Sequence, residues 1–268
     1  MRPNQEFYNL MFGNQNHPTE MNSPIYACVY NGSNGSIWKS TDGGANWIDL
    51  SIGNKDFSGI TTSGEIVYGC VAGGKVWKST NGGISWASLS ATKNWDGITT
   101  HDGVTVYSNV SSPASTWKST DGGVNWTDLS VTPAFSTITT HDGVTIYGGV
   151  YSGSIWKSTN SGVNWTDLVT GTKLWWGITT HDGVTIYACE DGPFGASGGY
   201  IWKSTNSGVN WTRLVTERKS WSGLATYDGI TVYACVNGQS IWKSADGGAN
   251  WVDLAVSSIN WRGIATRY

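Results

Sequence analysis

Ile37-Trp38-Lys39-Ser40-Thr41-Asp42-Gly43-Gly44-Ala45-Asn46-Trp47 decides how this chain is read, because the stretch returns five more times. Its leading tryptophan reappears as Trp77, Trp117, Trp156, Trp202 and Trp242, at steps of 39, 40, 39, 46 and 40 residues. The repeat is therefore about 40 residues long. Within each unit, four short runs rich in Val, Ile, Thr, Tyr and Trp stand between turn signals. In the third unit they are 98–100, 104–110, 116–119 and 126–129, lettered A to D below. None reaches helix length, and His101-Asp102-Gly103 reads as the A–B hairpin turn, since Asp-Gly readily takes positive φ.

Four antiparallel strands per unit and six units predict an all-β fold, a six-bladed β-propeller. The first full runs, 26–29 and 37–40, are a B and a C with no A before them. The last, Trp261-Arg262-Gly263-Ile264-Ala265-Thr266, matches the A strand Trp95-Asp96-Gly97-Ile98-Thr99-Thr100 and has no B after it. The expected ring closes when residues 262–266 complete the first blade, which leaves no open edge at the seam. The propeller then spans residues 25–268, and 1–24 form an N-terminal segment outside the repeat.

Composition agrees and excludes several classes. The 268 residues include 36 Gly, 17 Trp and 12 Tyr, which suits short strands, tight turns and a sizeable core rather than helical bundles or disorder. Net charge is −3 and there is no basic run, so no nucleic-acid partner is expected. No apolar stretch is long enough to span a membrane, and the first residues lack a signal-peptide core, so a cytoplasmic monomer is the default expectation.

The turn Ser40-x-Asp42-x-Gly44-x-Asn46-Trp47 resembles the Asp box, or BNR repeat, of sialidases and related propellers. It matches again at Ser79/Asn81/Gly83/Trp86, Ser119/Asp121/Gly123/Trp126, Ser158/Asn160/Gly162/Trp165, Ser204/Asn206/Gly208/Trp211 and Ser244/Asp246/Gly248/Trp251. An Asp or Asn oxygen is expected to accept N–H groups one or two residues on, with Gly supplying the positive φ. Three boxes use Asn, which accepts the same bonds without charge, so the box is read as structural. The resemblance implies the same, because sialidase Asp boxes lie away from the active site. Sialidase activity is not implied: the five arginines are Arg2, Arg213, Arg218, Arg262 and Arg267, and no Arg-Ile-Pro occurs.

Other chemistry is thin. His101, His141 and His181 repeat one turn position, and copies roughly 10 Å apart are too far apart to share a metal, so neither metal nor cofactor is expected. Cys28, Cys70, Cys189 and Cys235 share one B-strand position and are expected to be free, buried thiols. Lys39, Lys78, Lys118, Lys157, Lys203 and Lys243 are expected to lie along the blades, with Asp49, Asp128, Asp167 and Asp253 as optional partners.

A ligand is expected on the face carrying the B–C and D–A loops, which differ between units and hold the insertion at 190–200. Phe57, Trp95, Phe135, Trp175, Trp176, Trp221 and Trp261 stand at the entries to the A strands on that face. Flat rings bordered by small polar groups suit sugars, so a non-enzymatic, lectin-like propeller binding a glycan or other small polar ligand is the leading expectation. The competing role for these rings is wedging between blades. A glycoside hydrolase would need two carboxylates in one cleft, drawn from Asp96, Glu190, Asp191 and Glu217. A protein-interaction or assembly scaffold, like the Asp-box assembly factors this chain also resembles, is the third class.

Overall fold

A computed structural model describes residues 23–30, 35–131, 133–191, 198–214 and 217–267. Most of the expected N-terminal segment (1–22), and the loop stretches 31–34 and 192–197, lie outside the described residues. The molecule is all-β: three four-stranded sheets, one five-stranded and one eight-stranded, with every named strand pair antiparallel among the described residues. The third unit is typical. Its strands are Trp95–Thr100, Val106–Ser111, Ala114–Ser119 and Thr127–Asp128, hydrogen-bonded in sequence order. The eight-stranded sheet is the sixth and first units bridged where Asn237 meets Asn260 and Gln239 meets Ile259. Strand Ile259–Thr266 pairs antiparallel with Ile25–Val29, setting Ile25 opposite Thr266 and Cys28 opposite Gly263.

In the third unit strand A begins at Trp95, three residues earlier than the alternation suggests, and strand B at Val106, two residues later, after the Asp-Gly turn. The D strands depart most. Five of them are two residues long, and four of these are followed, after Leu, by a left-handed residue: Ser51, Ser130, Val169 and Ala255, with φ of 50°, 51°, 54° and 53°. In these four the D-strand aspartate, which makes no ion pair with the lysines, holds the turn; the fifth unit, with Arg213 at that place, has a two-residue D strand as well. Asp49, Asp128, Asp167 and Asp253 each accept, at 2.7–2.8 Å, the N–H two residues on and so turn the chain off the sheet. The second unit has Ser88 at that place, and there the D strand runs on as Ala87–Lys93.

The box turn is built around its serine. Ser40 Oγ accepts Gly44 N–H at 2.9 Å and donates to Asp42 Oδ1 at 2.9 Å, and Asp42 Oδ1 accepts Asn46 N–H at 2.9 Å. The carboxylate therefore reaches four residues on, not one or two, because the serine hydroxyl serves the nearer amides. Trp47 Nε1 closes the turn on Gly44 O at 2.9 Å. The Asn boxes keep the scheme: Ser158 takes Gly162 N–H, and Asn160 takes Asn164 N–H at 2.8 Å.

Each box is also the contact between units. Tyr26 of the first unit donates to Gly82 O of the second, with Lys39 lying over the Tyr26 ring and donating to the same carbonyl at 2.8 Å. A β-carbon on Gly83 would collide with Leu50. The leucine contact recurs around the repeat, whereas Tyr107 and Tyr187 donate to the A–B turn carbonyls of Gly143 and Gly229; in the last unit Tyr233 donates to Gly43 O of the first while Gly44 abuts Leu254. The histidines take part in the same packing: His101 lies against Gly143 of the next unit and His141 against Gly183, leaving no room for a side chain there. Cys28, Cys70, Cys189 and Cys235 are free and fully buried. The A strands line one axial cavity in its two halves, which meet at Ile60, Ile98, Ile138, Ile178, Leu224 and Ile264.

Candidate functional site

The seven aromatics expected to meet a ligand separate into six and one. Phe57, Trp95, Phe135, Trp175, Trp221 and Trp261 are between 0% and 3% exposed. Each packs on the box tryptophan of its own unit, as Trp95 does on Trp126 at 5.0 Å between ring centroids and Trp261 on Trp47 at 5.8 Å. Their rings are almost wholly covered and wedge the interior of each unit, although Trp221 and Trp261 also line two of the cavities described below. Trp176 alone is half-buried and faces the axial cavity.

Besides Trp176, the tryptophans that reach solvent are those of the C strands and boxes, which sequence reading treated as scaffold. Trp38 and Trp47 wall a cavity of about 230 Å³ with Asn46, Ser257 and the loop 254–257. At the equivalent place in the sixth unit, Trp242 and Trp251 wall a cavity of about 210 Å³ with Asn250, Glu217 and Lys219. A third, of about 350 Å³, has Trp117, Lys93, Asn94 and Thr92 around it. Lys93 and Lys219 lie over Trp117 and Trp242 at 3.8 and 4.4 Å, so a D–A-loop ammonium borders the indole face. The signal was present in Ile-Trp-Lys-Ser: strand alternation sends Trp and Lys to opposite faces, and the Lys face is taken by Tyr of strand B.

The four carboxylates considered for hydrolysis are dispersed. Asp96 faces the axial cavity, Glu217 lies beside Lys219 at 2.9 Å, and Glu190 accepts Trp202 Nε1 at 3.0 Å. Each cavity described above holds one of them at most. Asp191 ends its B strand. Among the described residues no group of three His, Cys, Asp or Glu side chains is placed to hold a metal.

The box carboxylates are held low by the turns they close. The Asn46 N–H and side-chain amide hold Asp42 at about 2, and Asp121 and Asp246 are lowered to about 2 by Asn125 and Asn250 in the same way. In the His-Asp-Gly turns, burial pushes Asp102 upward, but the N–H groups of Val104 and Thr105 outweigh it and the net shift is downward.

No family model and no curated protein matches this chain. Solved structures do. It is similar to the GH74 enzyme of Niastella koreensis, at 17% identity and TM-score 0.64, over 86% of this chain and 43% of that one. The GH74 xyloglucanase of Xanthomonas campestris is similar at 15% identity and TM-score 0.61, over 87% and 43%. YCF48 bound to D1 peptide is similar at 16% identity and TM-score 0.56, over 91% of this chain and 88% of that one. The chain thus spans less than half the length of the GH74 structures and nearly all of YCF48. These neighbours are β-propeller proteins, and the likeness gives the fold: this chain is a repeat-built β-propeller.

Proposed function

We propose that this chain is a closed, six-bladed propeller of the Asp-box kind that binds carbohydrate without enzymatic activity. Closure rests on the pairing of Ile259–Thr266 with Ile25–Val29 and on Tyr233 reaching Gly43 as Tyr26 reaches Gly82. The binding sites are the rim cavities at Trp38/Trp47, Trp242/Trp251 and Trp117, rather than the A-strand ring. The observation that carries the reading is the equivalence of the first two: two units repeat a half-open, tryptophan-walled cavity with an asparagine at its edge. An indole face takes the C–H side of a pyranose, the asparagine takes its hydroxyls, and repetition supplies avidity to weak single sites.

A glycan array followed by tryptophan fluorescence tests this. Trp38→Ala and Trp242→Ala should each weaken binding by about tenfold while the protein stays folded. Trp221→Ala should instead cost about 3–5 kcal/mol of stability, as expected for a buried core tryptophan. A folded parent that binds no glycan on the array ends the carbohydrate reading. The second reading, a protein-binding module, draws on the YCF48 structure with its D1 peptide, whose length this chain nearly matches. Peptide binding that survives Trp38→Ala and Trp242→Ala would favour it.

A further inference from the structure

At one end of the axial cavity the residue after each unit's buried A-strand aromatic lines the wall: Arg262, Ser58, Asp96, Ser136, Trp176 and Ser222 in order of the units. The three serines face away from any ligand role. Ser58, Ser136 and Ser222 each donate to the carbonyl of the next unit's A-strand tryptophan (Trp95, Trp175 and Trp261) at 2.6–2.7 Å, bracing neighbouring strands. The alternate positions hold a guanidinium, a carboxylate and an indole, and nothing in the repeat requires them. Arg262 lies over the Trp176 ring at 3.9 Å.

Stacking satisfies the face of a guanidinium and leaves its five N–H donors at the edge. For Arg262 those donors meet no acceptor among the described residues, and its nearest charge, Asp96, is felt across the cavity without an ion pair. Burial lowers the pKa of Arg262 and raises that of Asp96, so both charged groups are carried at a cost in solvation. A half-buried guanidinium without an acceptor among the described residues, lining a polar cavity of about 70 Å³, is built for an anion from outside.

We propose that this mouth of the axial cavity binds a carboxylate head group, gripped by Arg262 with Trp176 behind it, while the rest of the ligand stands out toward the B–C and D–A loops. One guanidinium facing one carboxylate admits a single negative charge. The planar fork of Arg262 matches the two oxygens of a carboxylate, whereas a phosphate dianion would be held against Asp96. The site is separate from the rim cavities, so either can fail alone.

The test follows the Arg262 Nε–Hε signal by NMR, assigned by its loss in Arg262→Gln, with sodium chloride added to keep ionic strength constant. D-glucuronate and N-acetylglycine supply the carboxylate on a sugar and on a peptide end; D-glucose and N-acetylglycinamide are their neutral counterparts. The expected result is a saturable shift with a carboxylate and none with its neutral counterpart. A response to glucuronate alone assigns the source as an acidic sugar, and one to N-acetylglycine alone as a peptide terminus. Arg262→Gln should lose at least about tenfold in affinity, and Asp96→Asn should gain severalfold by removing the facing charge. Should Arg262→Gln fail to fold, Asp96→Asn decides alone. Equal shifts with the neutral compounds, no shift with either carboxylate, or weaker binding in Asp96→Asn overturns the proposal.

Discussion

At the residue scale the six boxes form a built-in comparison, since three are closed by Asp and three by Asn around one hydrogen-bond scheme. The Asp side chains stand at about 2 in the folded protein against the usual 3.8. A folded pKa below the unfolded one stabilises above the unfolded value, and that stabilisation disappears as pH falls toward the folded value. Between about pH 4 and pH 2 the Asp boxes should therefore weaken while the Asn boxes stay closed. The triple variant Asp42→Asn, Asp121→Asn, Asp246→Asn should show a flatter fall in urea-unfolding stability across that window. An unchanged slope would mean that other carboxylates govern acid unfolding. Asp102, Asp142 and Asp182, also held low, retain part of the slope in either case.

At the element scale four of the D strands show one side chain turning the chain at a strand's end. Asp128 accepts both Ser130 N–H and the Ser115 hydroxyl, and its strand stops after two residues. Asp128→Ala should cost about 1 kcal/mol, read as a lowered melting temperature, because it releases a local backbone bond. Ser88→Asp should do the reverse in the second unit, shortening Ala87–Lys93 and raising hydrogen exchange at residues 90–93. The unit length, the four strands and the A–B turns were legible in the sequence because period-2 alternation and Asp-Gly turns are local signals. The aspartate brake was not, since an Asp two residues before Ser or Val carries no turn signature by itself. The solvent-facing tryptophans were overlooked for a related reason. Trp95 and Trp117 look alike in a strand pattern, and only the packing of neighbouring units decides which of them keeps a face in solvent.

At the scale of the whole molecule, the contacts between units run one way round, from the B-strand Tyr of one unit to the box or the A–B turn of the next, and the sixth unit reaches the first. Deleting residues 261–268 removes the strand beside Ile25–Val29 and should unfold or aggregate the protein; unchanged melting would show that this pairing is dispensable. The same pairing has a mechanical side. Ile25 lies opposite Thr266, so a load applied at Pro24 and Arg267 pulls on adjacent strand ends rather than along opposed ones. Antiparallel ladder bonds lie across the strands, so such a pull breaks them one after another like a zip instead of all together. Stretched between tethers at residues 24 and 267 in a single-molecule experiment, the chain should peel open at the Ile25–Thr266 end first, at low force. Tethers at residues 24 and 261 would drag Ile25–Val29 lengthwise past its partner, and the same seam should then resist as a clasp does.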